Sequence, residues 1–148
     1  MNINDYLIDQ SGKDWGALLQ GWMPPLPRDF TIWLVNRLGE PIIVRPDGAV
    51  HWLDVGAGKL NQVAASREQF AQLLDQGNNA DTWLRISIVN ACRQAGMTLA
   101  SDECYGFKIP PILQGQYEVA NLQPTKLDLH YSLLAHLGKQ EEIYWAGS

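Results

Sequence analysis

The fold is decided by residues 31–63, which read TIWLVNRLGEPIIVRPDGAVHWLDVGAGKLNQV. Four runs of apolar, β-branched and aromatic residues in this stretch are typical of strands: 31–35, 42–44, 49–55 and 60–63. Three short clusters of glycine and proline separate the runs and are typical of turns. Strands joined in sequence by turns this short pair as an antiparallel meander. The stretch therefore predicts a four-stranded antiparallel sheet.

Two helices are predicted after the meander. Ser66 and Gln69 fit a capping box at the start of the first helix, and Gly77 is placed to end it. Asp81 is the predicted N-cap of the second helix, in which an apolar residue recurs every four positions until Gly96.

The two ends of the chain complete an α+β architecture. Residues 1–29 contain short amphipathic stripes followed by a proline-rich segment, so we expect a helical N-terminal cap that is too short to fold alone. A strand near 122–127 is predicted to lead into a helix from about 128 to 140. We therefore predict a single domain over 1–148, with this cap on an α+β core at 30–140 whose antiparallel meander packs against helices.

Charge and composition exclude several classes of function. The 148 residues carry a formal net charge of −5 and no cluster of lysine and arginine, which argues against binding nucleic acid. No apolar stretch approaches the ~20 residues that span a membrane. The N-terminus lacks the pattern of a signal peptide, so we expect a cytoplasmic protein. In that compartment Cys92 and Cys104 are more often free thiols than a disulfide.

The residue types that carry chemistry do not form a known motif. His51, His130 and His136 have no cysteine or carboxylate at metal-ligand spacing, so we predict no metal site and expect solvent-facing or hydrogen-bonded histidines. The segment 56–59 reads GAGK but lacks the earlier glycine and the following Ser or Thr of a phosphate loop, and is predicted to be a hairpin turn. We predict no cofactor.

Residues 104–115, CYGFKIPPILQG, are rich in apolar and aromatic side chains, yet too irregular for a helix or a simple strand. With other residues from Asp47 onward, this segment resembles the C-terminal domain of the Tdi type of type VI secretion immunity proteins, a bacterial domain long known only as one of unknown function. The resemblance covers roughly residues 30–140. The other residues that carry it are Asp47-Gly48, Val50 to Asp54, Trp83-Leu84, Ala95-Gly96, Tyr117, Asn121-Leu122 and Leu127 to Gln140.

The resemblance implies a small α+β domain without known catalytic residues, in a protein that binds and neutralises a cognate DNase toxin. The acidic balance of the chain fits a basic partner, because complementary charge speeds encounter. Binding groups are often displayed on loops that a scaffold braces, so we expect the partner-binding residues at the irregular segment. These residues are Asp102, Glu103, Tyr105 and Lys108, with a structural role as the alternative for Tyr105 and Lys108.

Two other functions stay open from the residues alone. The first is a small-ligand binder or cysteine-dependent enzyme with a pocket near Cys104 and His51, in which a partly exposed thiol pairs with the imidazole. The second is a structural or regulatory module with no toxin partner. The sequence predicts no oligomeric state.

Overall fold

A computed structural model describes residues 2–140 of the chain, which contain six strands and five α-helices. The strands are β1 (Thr31–Val35), β2 (Pro41–Val44), β3 (Val50–Asp54), β4 (Lys59–Ala64), β5 (Glu103–Phe107) and β6 (Leu122–Lys126). The helices are α1 (Trp15–Leu18), α2 (Arg67–Leu74), α3 (Asn79–Leu84), α4 (Ile86–Gln94) and α5 (Leu127–Gln140). None of these helices combines the length and the apolar character that crossing a membrane requires. The predicted α+β class is confirmed.

The four predicted strands of the meander are confirmed in the order β1-β2-β3-β4, each antiparallel to the next. Side chains alternate along β2, so that Ile43 belongs to the main core while Ile42 and Val44 belong to a second apolar cluster. In that second cluster the rings of Phe70 in α2 and Trp83 in α3 stack with centroids 4.9 Å apart. The meander therefore has apolar contacts on both faces.

The first helix after the meander begins as predicted. Ser66 Oγ accepts a hydrogen bond from Gln69 N at 3.1 Å, and Gln69 Oε1 accepts one from Ala65 N at 2.6 Å. The helix ends at Leu74, and Gly77 lies in the following turn with a φ of 53°.

The second predicted helix is divided into α3 and α4. Arg85 separates them with a φ of 54°, in the left-handed region that side chains rarely adopt. Asp81 is not the N-cap of its own helix, because it lies inside α3, where its Oδ1 accepts a hydrogen bond of 2.7 Å from Ser87 N in α4. The apolar repeat hid the break because the repeat continues at helical spacing across it.

The segment expected to be irregular begins as a strand, which corrects the prediction. Residues 103–107 form β5, in which Cys104 lies opposite Thr125 and Phe107 opposite Leu122 of β6. Burial from Cys104 to Phe107 hides the alternation that marks most strands. Gly106 fits because a Cβ there would overlap the side chain of Thr125. The irregular part is residues 108–121, termed the connecting loop.

The N-terminal segment packs against α5. Trp22 is fully buried, and its indole Nε1 donates a hydrogen bond of 3.1 Å to the carbonyl of Tyr131. The hydroxyl of Tyr131 donates in turn to the carbonyl of Gly39, at 2.7 Å, in the turn between β1 and β2. Through these contacts α5 joins the N-terminal segment to the meander.

A buried ion pair connects the β1–β2 turn to the junction of α3 and α4. Arg85 Nε donates to Glu40 Oε1 at 2.9 Å, and Arg85 Nη2 donates to Oε2 at 2.8 Å. Asn36 Nδ2 adds a third hydrogen bond to Oε1, also at 2.8 Å. Glu40 is 1% exposed, so its charge is compensated by these donors and not by water.

The protonation of this pair follows from its donors. Burial raises the pKa of Glu40, while the hydrogen bonds and charge of Arg85 oppose the rise. Burial also lowers the pKa of Arg85, but the hydrogen bonds and charge of Glu40 outweigh that effect, so the pKa of Arg85 rises overall. Both residues carry their charges, because a guanidinium does not deprotonate in proteins and three donors favour the carboxylate over the acid.

Replacing Glu40 should therefore destabilise the fold strongly. We expect Glu40→Leu to lower the free energy of unfolding by about 3–5 kcal/mol, because it removes both short hydrogen bonds of the Arg85 guanidinium and leaves its charge with the longer contact of 3.8 Å to Asp54. Urea unfolding at pH 7 measures the change. The matched control is Asp102→Asn, which breaks the exposed ion pair of Asp102 with Lys126 and should change the stability little, because solvent screens that pair. Equal losses in the two variants would contradict the assignment.

Candidate functional site

The connecting loop is held in one conformation by Asn121, which is buried at its C-terminal end. The Asn121 side chain accepts a hydrogen bond from Ile109 N and donates to the carbonyls of Ile109 and Gln116, each at 2.8 Å. Its own carbonyl accepts from Lys108 N at 2.7 Å. One residue therefore connects the start and the middle of the loop, in place of the backbone hydrogen bonds that pairing with another strand would supply.

Close backbone approach within the loop requires glycine at position 115. The amide of Gly115 donates to the carbonyl of Pro110 at 3.0 Å, which closes the turn around the 3₁₀ segment Pro111–Leu113. A Cβ on Gly115 would overlap the carbonyl of Ile109 and lie 2.9 Å from Asn121 Nδ2. The loop is thus closely packed on itself.

Tyr117 connects the loop to the buried ion pair. Its hydroxyl donates to Asp54 Oδ1 at 3.3 Å, and its ring lies 4.5 Å from the guanidinium carbon of Arg85, within the range of a cation–π contact. The ring also meets Phe107 edge-on, with centroids 5.2 Å apart. The hydroxyl occupies space that a Cβ on Gly56 would need, at 2.5 Å.

Three of the four predicted partner-binding residues reach the surface. Asp102 is exposed and forms an ion pair of 2.8 Å with Lys126, whose hydrogen bond lowers the pKa of Asp102. Glu103 is half-buried, and its Oε1 accepts a hydrogen bond from Ala100 N at 2.8 Å. Lys108 is exposed at the start of the connecting loop.

Tyr105 differs from the other three residues, because its side chain is not on the surface. The residue is 2% exposed, and its hydroxyl donates to the carbonyl of Met97 at 3.0 Å. Its backbone amide donates to the carbonyl of Arg37 at 2.8 Å, which joins β5 to the turn after β1. These hydrogen bonds favour the structural role that the sequence left as the alternative for Tyr105.

Sequence reasoning missed the exposed apolar side chains of the same loop. Ile109 is 55% exposed, Leu113 is 49% exposed and Tyr117 is 37% exposed. We term these side chains, with that of Lys108, the loop surface. Large apolar groups in a segment stiffened by two adjacent prolines are a signal that was available in the sequence, but the prediction selected only the polar groups.

The hypothesis of a Cys104–His51 pocket requires a partly exposed thiol, and Cys104 is fully buried. Burial raises the pKa of this thiol, which disfavours the reactive thiolate. Cys104 lies on β5, whereas His51 lies on β3 of the other sheet, paired with Ile43 and Gln62. Both cysteines are free, as expected. The arrangement does not provide an accessible nucleophile.

The fold also shows what becomes of the GAGK segment and of the residue types that could bind a metal. Residues 56–58 form the turn between β3 and β4, in which Gly58 N donates to the Asp54 carbonyl at 2.8 Å, so the predicted hairpin turn is confirmed. Across residues 2–140, no group of three or more His, Cys, Asp and Glu side chains has the geometry to hold a metal ion.

His130 is not solvent-facing, and its ring is hydrogen-bonded only in part. It is 3% exposed in the core, and its Nε2 has no hydrogen-bond partner. Burial lowers the pKa of His130 to about 4, a shift that a backbone hydrogen bond with Leu38 opposes. The imidazole is therefore neutral at pH 7.

This burial predicts a loss of stability in acid. The unfolded chain takes up the His130 proton near pH 6.5 and the folded chain only near pH 4, so stability is lost as the pH falls between these values. We expect the wild type to lose about 3 kcal/mol more between pH 7 and pH 4 than His130→Phe does, measured by urea unfolding. His136→Asn, on the exposed side of the same helix, should behave like the wild type. Identical losses in the wild type and His130→Phe would contradict the prediction.

Comparison with known proteins confirms the resemblance. The family model described as T6SS immunity protein Tdi1, C-terminal, matches residues 64–138. This range is narrower than the 30–140 of the resemblance, but it runs from the end of β4 into α5 and contains the whole connecting loop. No curated protein matches the chain. Because the match covers just over half of the chain, the chain belongs to the family of the C-terminal domain of the type VI secretion immunity protein Tdi1.

Proposed function

We propose that this protein binds a cognate toxin in the bacterial cytoplasm and neutralises it by binding, without catalysis. The observation that carries the proposal is the family match over residues 64–138. The full burial of Cys104 supports a binding role over a cysteine-dependent reaction.

We infer that the loop surface contacts the toxin. Protein interfaces combine apolar or aromatic anchors with a polar rim, and the loop offers Ile109, Leu113 and Tyr117 as anchors beside the charge of Lys108. Asp102 and Glu103, at the start of β5, supply further rim groups. Tyr105 then supports the interface from inside the core and does not contact the partner.

The rigidity of the loop favours this use. Ordering a flexible loop upon binding costs free energy, whereas the hydrogen bonds of Asn121 order the loop before a partner arrives. The contacts of Tyr117 with Asp54 and Arg85 fix the loop on the meander in the same way. A preordered surface of this kind suits tight binding.

The net charge of −5 fits a basic toxin such as a DNase. Complementary charge accelerates encounter and is screened by salt, so the association rate should fall as the ionic strength rises. Charge therefore affects the speed of binding, whereas the apolar groups of the loop surface supply its strength.

Co-expression with the toxin encoded beside this gene tests the proposal. We expect the toxin to co-purify with the wild-type protein and to lose its toxicity. Leu113→Glu should weaken the binding at least tenfold in a calorimetric titration, because it places a charge among the apolar anchors. The matched control is Ile3→Glu, which introduces the same charge at an exposed apolar residue of the N-terminal segment and should bind like the wild type.

Two outcomes separate the parts of the proposal. A toxin that neither co-purifies nor loses toxicity would refute the immunity function and favour a structural or regulatory module. A toxin that binds Leu113→Glu as tightly as the wild type would retain the function and refute the loop surface.

A further inference from the structure

Helix α5 exposes a ridge that the loop surface does not include. Leu129 is 61% exposed and Leu133 is 51% exposed, one helical turn apart. The opposite face of the helix is buried through Tyr131 and Leu134. The other exposed side chains of the ridge are those of Asp128, Ser132, His136 and Lys139.

Opposite charges lie at the two ends of this ridge. Asp128 is in the first turn of α5 and Lys139 in the last. Eleven residues correspond to about three helical turns, so the two side chains lie along the same line of the helix, about 16 Å apart. Leu133 lies on the other edge of the exposed face, separated from this line by more than a quarter of the circumference.

Grooves flank the ridge on both sides. One, of about 620 Å³, lies between α5 and the N-terminal segment, where Leu18 and Gly21 line it. The other, of about 710 Å³, lies between α5 and the two-stranded sheet, where Phe107 and Thr125 line it. A ridge beside a groove is the shape that packed helices share.

We propose that this face pairs α5 with α5 of a second copy of the chain, antiparallel and about a two-fold axis. An axis between positions 133 and 134 places Asp128 opposite Lys139 of the second copy, and Lys139 opposite Asp128 of the second copy. The same axis brings Leu133 of the two copies together on the other edge. A two-fold axis requires a self-complementary surface, and a ridge with an adjacent groove and opposite terminal charges meets that requirement. The inference does not depend on the toxin-binding proposal.

Charge exchange tests this pairing with full-length protein in sedimentation equilibrium at low salt. We expect the wild type to dimerise, and Asp128→Lys or Lys139→Asp alone to raise the dimer dissociation constant at least tenfold through repulsion. The double variant Asp128→Lys/Lys139→Asp should recover most of the affinity, because it restores both pairs in reverse. Both sites of change are exposed, so circular dichroism should show an unchanged fold.

Leu113→Glu, which introduces a charge on the loop surface, is the matched control and should remain dimeric. A wild type that is monomeric at every concentration, or a dimer that neither single charge change weakens, would overturn the proposal. So would a double variant that stays as weak as the single variants. A monomeric wild type whose Leu133→Glu variant loses the toxin would instead show that the toxin covers this face.

Discussion

The buried ion pair between Glu40 and Arg85 is the interaction on which the arrangement of the molecule depends. A carboxylate without contact to water requires charged donors, and only a guanidinium turned inward at the α3–α4 junction supplies two of them. Arg85 has a left-handed backbone at this junction, where its side chain meets Glu40. The same guanidinium lies beneath the ring of Tyr117, so the pair that joins the meander to the helices also supports the connecting loop.

The parts of the fold that sequence predicted are those with local causes. The meander follows from strand runs and turn residues, and α2 follows from the cap formed by Ser66 and Gln69. The break at Arg85 was not predictable from periodicity, because the apolar repeat continues across it and the partner of Arg85 lies 45 positions away in the chain. Strand β5 was missed for a related reason: burial on both faces replaces alternation, and Gly106 resembles a turn residue although it serves the close contact with Thr125.

The candidate site also has features that could be predicted from local sequence and features that could not. The sequence directed attention to a segment in which Asp102 and Lys108 are exposed. It did not separate Tyr105, which is buried, from Tyr117, which is partly exposed, because the exposure of neither side chain follows from its neighbours along the chain. The role of Asn121 was equally hidden, since its hydrogen bonds depend on the three-dimensional course of the loop. Asn121 and Tyr117 together convert an irregular segment into a fixed surface.

We propose that this fixed loop is the part of the protein that a toxin contacts. Amide hydrogen exchange of the wild-type protein, with and without its toxin, tests the claim most directly. We expect the toxin to slow exchange across residues 108–121, while α2, on the far side of the meander, exchanges at an unchanged rate. Slowed exchange confined to other elements, with the connecting loop unaffected, would contradict it.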